Sequence, residues 1–249
     1  MKGLIHIHSN YSDGELSLQE IKKEAKSLGA DFVLMADHIE YFSSQKEVDN
    51  FVEECEKLSD NDFLMIPGLE ISPKDSYHIL VYNGRKFIKT EDLVKGRDQL
   101  IVLAHASNYS GRLPEEIIKK LDGMEVWSAK YDSKHAPNIK SYSFLEKNDL
   151  IAMAGLDSHG RSSLNKLWVE VDINDLNVEK ILSAFIDKKF IVNNGYKKFD
   201  INKPFSLSQK LCFLLINFLY FPIRTPLTFF SKMGIKYPKS LKKIFHKLF

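Results

Sequence analysis

At 249 residues, with 44% hydrophobic and 27% charged side chains, the chain is long enough for one large domain with a well-buried core. Its two cysteines, Cys55 and Cys212, lie far apart, which excludes a disulfide framework and a thiolate zinc cluster and favours a reducing, cytoplasmic setting. The net charge of +2 conceals a division: residues 201–249 hold nine lysines and arginines and no acid, leaving all 33 acids against 26 bases in residues 1–200, a charge of −7 there. An acidic body, 1–200, is therefore expected to carry a basic extension, 201–249.

No leader segment is expected, because a strand begins at once. In that first strand, Gly3–His8, Ile5 and Ile7 share one face while His6 and His8 share the other. Ser17–Leu28 reads as a helix with an apolar stripe of Leu18, Ile21, Ala25 and Leu28; Ser17 with Glu20 fits a capping box and Gly29 fits the stop. Further strands are expected at Phe32–Ala36, Phe63–Pro67, His78–Tyr82, Leu100–Ala104, Met124–Trp127, Ile151–Ala154, Trp168–Val171 and Phe190–Val192. Ser44–Leu58 and Asn177–Asp187 read as helices between them. Such alternation predicts a mainly parallel α/β sheet, and the number of units suggests a closed barrel. In a barrel of that kind, functional groups gather where strands end.

The polar outliers fall at those ends. His6 and His8 close the first strand and Asp13 follows in the loop; Asp37-His38 follows F-V-L-M-A; Glu70 follows F-L-M-I-P-G-L. His105 follows L-I-V-L-A, and Asp157 with His159 follows I-A-M-A-G-L. His78 is the exception, since it opens the run H-I-L-V-Y. Each motif alone is weak, because Asp and Ser also cap helices and a His-x-His pair arises by chance. Together, nine imidazole and carboxylate groups at one mouth need a counter-charge, and their chemistry suits zinc, manganese or iron. His135 and His246 lie outside the pattern and read as surface residues.

The stretches "HIHSNYSDG", "ADH", "GLEIS", "HILVY", "LAHAS" and "GLDSHG", in this order over residues 6 to 159, resemble the polymerase and histidinol phosphatase (PHP) superfamily of metal-dependent phosphoesterases. Departures are Ala36, where Thr is usual before Asp-His, and Ala106, where Pro often follows the His. The resemblance implies an α/β fold with a distorted seven-stranded (β/α) barrel of PHP type and a site for three divalent metal ions (Mn, Fe or Zn). It implies that His6, His8, Glu70 and Asp157 hold the first cation, that Glu70 bridges to a second on His78 and His105, and that Asp13, His38 and His159 hold a third. A carboxylate has two oxygens and can serve two cations. The implied reaction is hydrolysis of a phosphate ester by a metal-activated water, with a phosphorylated small molecule or short oligonucleotide as substrate. Asp157, His159 and Arg161 are the candidate catalytic residues, with Asp37 and Lys130 as further candidates near the phosphate. Arg161, directly after D-S-H-G, reads equally as a bidentate phosphate clamp or as a solvated loop arginine. Histidinol-phosphate phosphatase is an alternative activity, and a non-catalytic scaffold, which would show gaps in the ligand set, is another.

Residues 204–249 lie outside the resemblance. "LCFLLINFLYFPI" (211–223) is too short to span a bilayer as a helix, and Pro222 and Pro226 are expected to break it. "SLKKIFHKLF" places Leu241, Ile244, Phe245 and Leu248 on one helical face and lysines on the other. Three readings stay open: a segment lying on an anionic membrane surface, which the acid-free, lysine-rich pattern favours; a helical extension packed on the barrel; or a nucleic-acid-binding arm. The first would hold the protein peripherally at the inner face of the membrane.

Overall fold

The computed structural model describes residues 1–72, 77–108 and 113–232. In chain order the strands are β1 (Lys2–Ile7), β2 (Phe32–Met35), β3 (Asp37–His38), β4 (Leu64–Ile66), β5 (Gly68–Ile71), β6 (Ile79–Tyr82) and β7 (Leu100–Leu103). They continue as β8 (Gly123–Ser128), β9 (Ile151–Gly155), β10 (Trp168–Val171), β11 (Phe190–Asn193) and β12 (Lys198–Phe199). The helices are α1 (Leu18–Ser27), α2 (Gln45–Leu58), α3 (Glu115–Ile118), α4 (Ile139–Asn148), α5 (Val178–Ile186) and α6 (Leu207–Lys232).

Local chemistry accounts for these elements. Leu18, Ile21 and Ala25 bury one face of α1, and Ser17 with Glu20 forms the capping box at its start. All four residues of β2 and of β7 are buried, as befits strands covered on both faces. Every strand read from the sequence is present, with no end displaced by more than one residue.

Two expectations are corrected. The pairing is mixed rather than mainly parallel: β1–β2, β2–β4, β3–β5, β7–β8 and β8–β9 are parallel, while β1–β10, β10–β11, β11–β12, β5–β6 and β6–β7 are antiparallel. Nor do the strands close into one barrel. They form two six-stranded sheets, ordered β12-β11-β10-β1-β2-β4 and β3-β5-β6-β7-β8-β9. The breaks have local causes. Pro67, without an N–H, separates β4 from β5, and Ala36 donates to Ile7 O at the step from β2 to β3. The segment directly after β9 meets β1 through one isolated bridge, Ile7 with Ser158, supported by bonds from Leu156 N to Ile5 O and from Ser158 N to His6 O.

The extension also departs from expectation, because α6 runs through Pro222 and Pro226. Each proline removes one helical hydrogen bond and crowds the preceding turn, which bends a helix without having to end it. The first half of α6 packs on the body: Phe213 is buried, with its ring 4.9 Å from that of Phe205 and 6.0 Å from that of Phe199. "SLKKIFHKLF" lies outside the described residues. Among the described residues, no helix is long and apolar enough to cross a membrane.

Candidate metal centre

The nine residues implied as ligands converge on one end of the two sheets, where β5 and β6 resolve the exception of His78. Because β6 runs antiparallel to β5 and β7, its start lies beside their ends: Ile79 pairs with Ile71 and with Leu103. His78, just before β6, thus meets His105, just after β7, with ring centroids 4.9 Å apart. Glu70 does not end a strand as expected. It sits within β5, paired in register with His38 of β3, which sets those two side by side.

His6 also departs from plain alternation. The β1–β2 register shifts between Ile5 and Ile7, and His6 has φ 67°, so a bulge re-aims its ring toward the cluster. His105 (φ 28°) and Asp157 (φ 47°) share this left-handed conformation, which is costly for residues with a Cβ and concentrates at functional sites.

Glu70 is the hub. Its Oε1 lies 2.5 Å from His78 Nδ1 and 3.3 Å from His105 Nε2. Its Oε2 lies 3.3 Å from His6 Nε2, 3.2 Å from His8 Nε2 and 3.7 Å from His38 Nδ1. Asp157 Oδ1 stands 3.8 Å from His6 Nε2 and 3.5 Å from His8 Nε2. Asp13 reaches across from the loop after β1, 3.2 Å from His159 Nε2, 3.6 Å from His8 Nδ1 and 3.8 Å from His38 Nε2. Donors about 2.1 Å from one tetrahedral cation stand roughly 3.4 Å apart, the spacing seen here.

Three sets offer ligand atoms mutually within 4.8 Å: His8, Asp13, His38 and His159; His6, His8 and Asp157; and His38, Glu70 and His78. His8 therefore faces two sets, one with each ring nitrogen. Both of its nitrogens are buried without a hydrogen-bond partner, an arrangement that protein groups alone leave unsatisfied and a cation would complete. The donor set and its spacing fit divalent metal ions.

Electrostatics sharpen the same picture. Burial works against the charge of Glu70, yet His6, His105 and His78 hold its carboxyl well below the usual range. Burial likewise opposes ionisation of Asp157, but His8, His6 and Lys130 keep it lowered. The His6 ring is disfavoured as a cation by burial, and Glu125 and Glu70 outweigh this and raise its pKa well above the ordinary value. His8 is raised too, against burial, by Asp157 and Glu70. Burial pushes His38 down to about 4 and lowers His159 as well. His6, His8, Glu70 and Asp157 are buried, whereas Asp13, His38, His78 and His159 are partly open, so solvent reaches the cluster from that side.

Around the cluster, Asp37 accepts from Ser9 N (2.9 Å), Ser9 Oγ (3.0 Å) and Ser12 Oγ (2.7 Å), which fixes the loop carrying Asp13. Lys130 Nζ lies 3.0 Å from Asp157 Oδ1 and 3.4 Å from His159 Nδ1. Arg161 is engaged elsewhere, its Nε 3.1 Å from Glu24 Oε1, so the solvated-loop reading describes it better than the phosphate clamp. His135 is half-buried against Tyr196, apart from the cluster, and His246 lies outside the described residues.

Glu125 is the residue that sequence reasoning missed. Fully buried in β8, it holds His6 Nδ1 at 2.9 Å and accepts from His105 N at 2.7 Å. A lone acid inside the apolar run G-M-E-V-W was the available signal, since a buried charge demands partners.

Comparison with known proteins agrees with the geometry. The PHP domain family matches residues 5–193. No curated protein matches the chain significantly. A two-domain protein from Bacteroides vulgatus, described as containing a predicted PHP-like metal-dependent phosphoesterase, superposes with a TM-score of 0.56 at 18% identity, covering 78% of this chain. The chain spans 64% of the length of that protein. PsfC from Pseudomonas syringae superposes with a TM-score of 0.56 at 14% identity, covering 88% of this chain and 96% of its own. At such identities the likeness is one of fold.

Proposed function

The chain belongs to the PHP domain family, and from that premise we propose that it is a hydrolase of phosphate esters whose substrate is a small phosphorylated metabolite, a nucleotide or a short oligonucleotide. The observation that carries this reading is the division of Glu70, one oxygen facing His78 and His105, the other facing His6, His8 and His38. His6, His8, Glu70 and Asp157 would hold one cation, Glu70, His78 and His105 a second, and Asp13, His38 and His159 a third, with manganese, iron or zinc suiting these donors. Bound there, the cations would supply charge against the phosphate oxygens and a water acidic enough to attack near neutral pH.

The chain's own residues supply the rest. Asp37 and Glu125 position the ligand loop and the His6 ring. Lys130, partly exposed beside Asp157, places a cation where a phosphate oxygen would approach. His159, at the open rim, would hold its cation beside the departing alkoxide, on the side where solvent can supply a proton. No gap in the ligand set favours a non-catalytic scaffold, and no contact here selects histidinol phosphate over other monoesters. The test is a panel of phosphate mono- and diesters assayed with Mn²⁺ for the native protein and Asp157→Ala. Turnover by the native protein and its loss by on the order of a thousandfold in the variant are expected. Turnover undiminished in the variant would reject the site.

A further inference from the structure

Helix α6 presents two different faces over the stretch where it leaves the body. On the inner face, Phe213 is buried, Asn217 Oδ1 accepts from Ile139 N at 3.1 Å, and Asn217 Nδ2 donates to Pro137 O at 3.3 Å. Lys210 pairs with Glu146 at 3.3 Å. These contacts fix the rotation of the helix on α4. The opposite face then points away from the protein, and apart from Ser208 it is apolar: Leu207, Leu211, Leu214, Leu215, Phe218 and Leu219 are each 52–74% exposed. At 100° per residue these six fall within an arc of about 140°. Soluble monomers rarely leave so continuous an apolar stripe uncovered.

Charge decides what covers it. The segment 201–249 holds nine basic residues and no acid. A second copy packed on this stripe would bring the two basic segments together. A surface of anionic lipid complements both the stripe and the lysines. Among the described residues, no helix is long and apolar enough to cross a bilayer, which leaves the helix lying in its surface. Nucleic acid would meet the positive charge but not the leucines, which offer no stacking platform.

We propose that α6 docks the protein on an anionic lipid surface, with the Leu207–Leu219 stripe entering the interface and the acid-free, basic composition of residues 201–249 matching the charge of that surface. Asn217 lies where α4 begins, after the strand β8 whose loop carries Lys130, so the docked stripe reaches the same end of the body as the candidate metal centre.

The experiment is co-sedimentation of the full chain with vesicles of phosphatidylcholine alone and of phosphatidylcholine containing phosphatidylglycerol. Binding to the anionic vesicles, weakened by added salt, is expected for the native protein. Leu211→Glu with Leu215→Glu should weaken it by on the order of tenfold or more, with melting temperature and bound Mn²⁺ unchanged. The gentler pair Leu211→Ser with Phe218→Ser serves if the first pair unfolds the protein. Equal binding by native and variant protein, absence of binding to anionic vesicles, or a concentration-dependent dimer abolished by the same substitutions would overturn the proposal, the last in favour of a second copy.

Discussion

Glu125 illustrates how much the cluster depends on a residue that touches none of the open space. A carboxylate can only accept, so the neutral His6 ring must carry its proton on Nδ1, which leaves Nε2 free beside Glu70. Gly155 makes room for this pair, because a Cβ there would overlap Glu125 Oε1 and stand 3.1 Å from His6 Cβ. Glu125→Gln keeps the side chain's size but lets an amide N–H face the ring, and it should weaken cation binding 10- to 100-fold, by roughly the effect known for such supporting carboxylates. Titration calorimetry of the variant checks this; native affinity would show that Glu125 is only a packing residue. Most of the candidate ligands were legible in the sequence because they end, follow or open an otherwise apolar run. Glu125 was not, since nothing in G-M-E-V-W says which side chain waits across the sheet.

At the scale of elements, strand direction decides what a position means. His78 seemed out of place at the start of its run until β6 proved antiparallel to both neighbours. The run F-L-M-I-P-G-L-E-I-S reads as one strand and a loop, yet Pro67 divides it between two sheets and sets Glu70 inside β5. Alternation likewise suggested that His6 and His8 share a face, whereas a bulge with φ 67° aims His6. Propensity and periodicity locate such strands but carry no information on partners, which is why nine strands were legible and the closed barrel was not what they formed. The extension yields a prediction at this scale. Phe213 joins the Phe199–Phe205 cluster, so Phe213→Ala should lower stability by about 3 kcal/mol in denaturant unfolding. Leu214→Ala, on the exposed face, should change it by less than about 0.5 kcal/mol. Equal effects would mean that α6 is not docked as described.

For the molecule as a whole, two sheets meeting at one end bring together groups from β1, β3, β5 and the loops beside β6, β7 and β9, so the centre forms only when the fold is complete. Its protonation follows from the shifts at His6 and His8. Both pKa values are raised in the metal-free protein, so protons compete with a cation for both rings, and affinity should fall as pH falls. His38, at about 4, competes only in much stronger acid. Titration of the metal-free protein with Mn²⁺ near neutral pH, following bound metal and released protons together, therefore tests the central claim most directly. Three cations per chain, bound with release of protons, is the result this account predicts. One cation or fewer would contradict a centre bridged by Glu70.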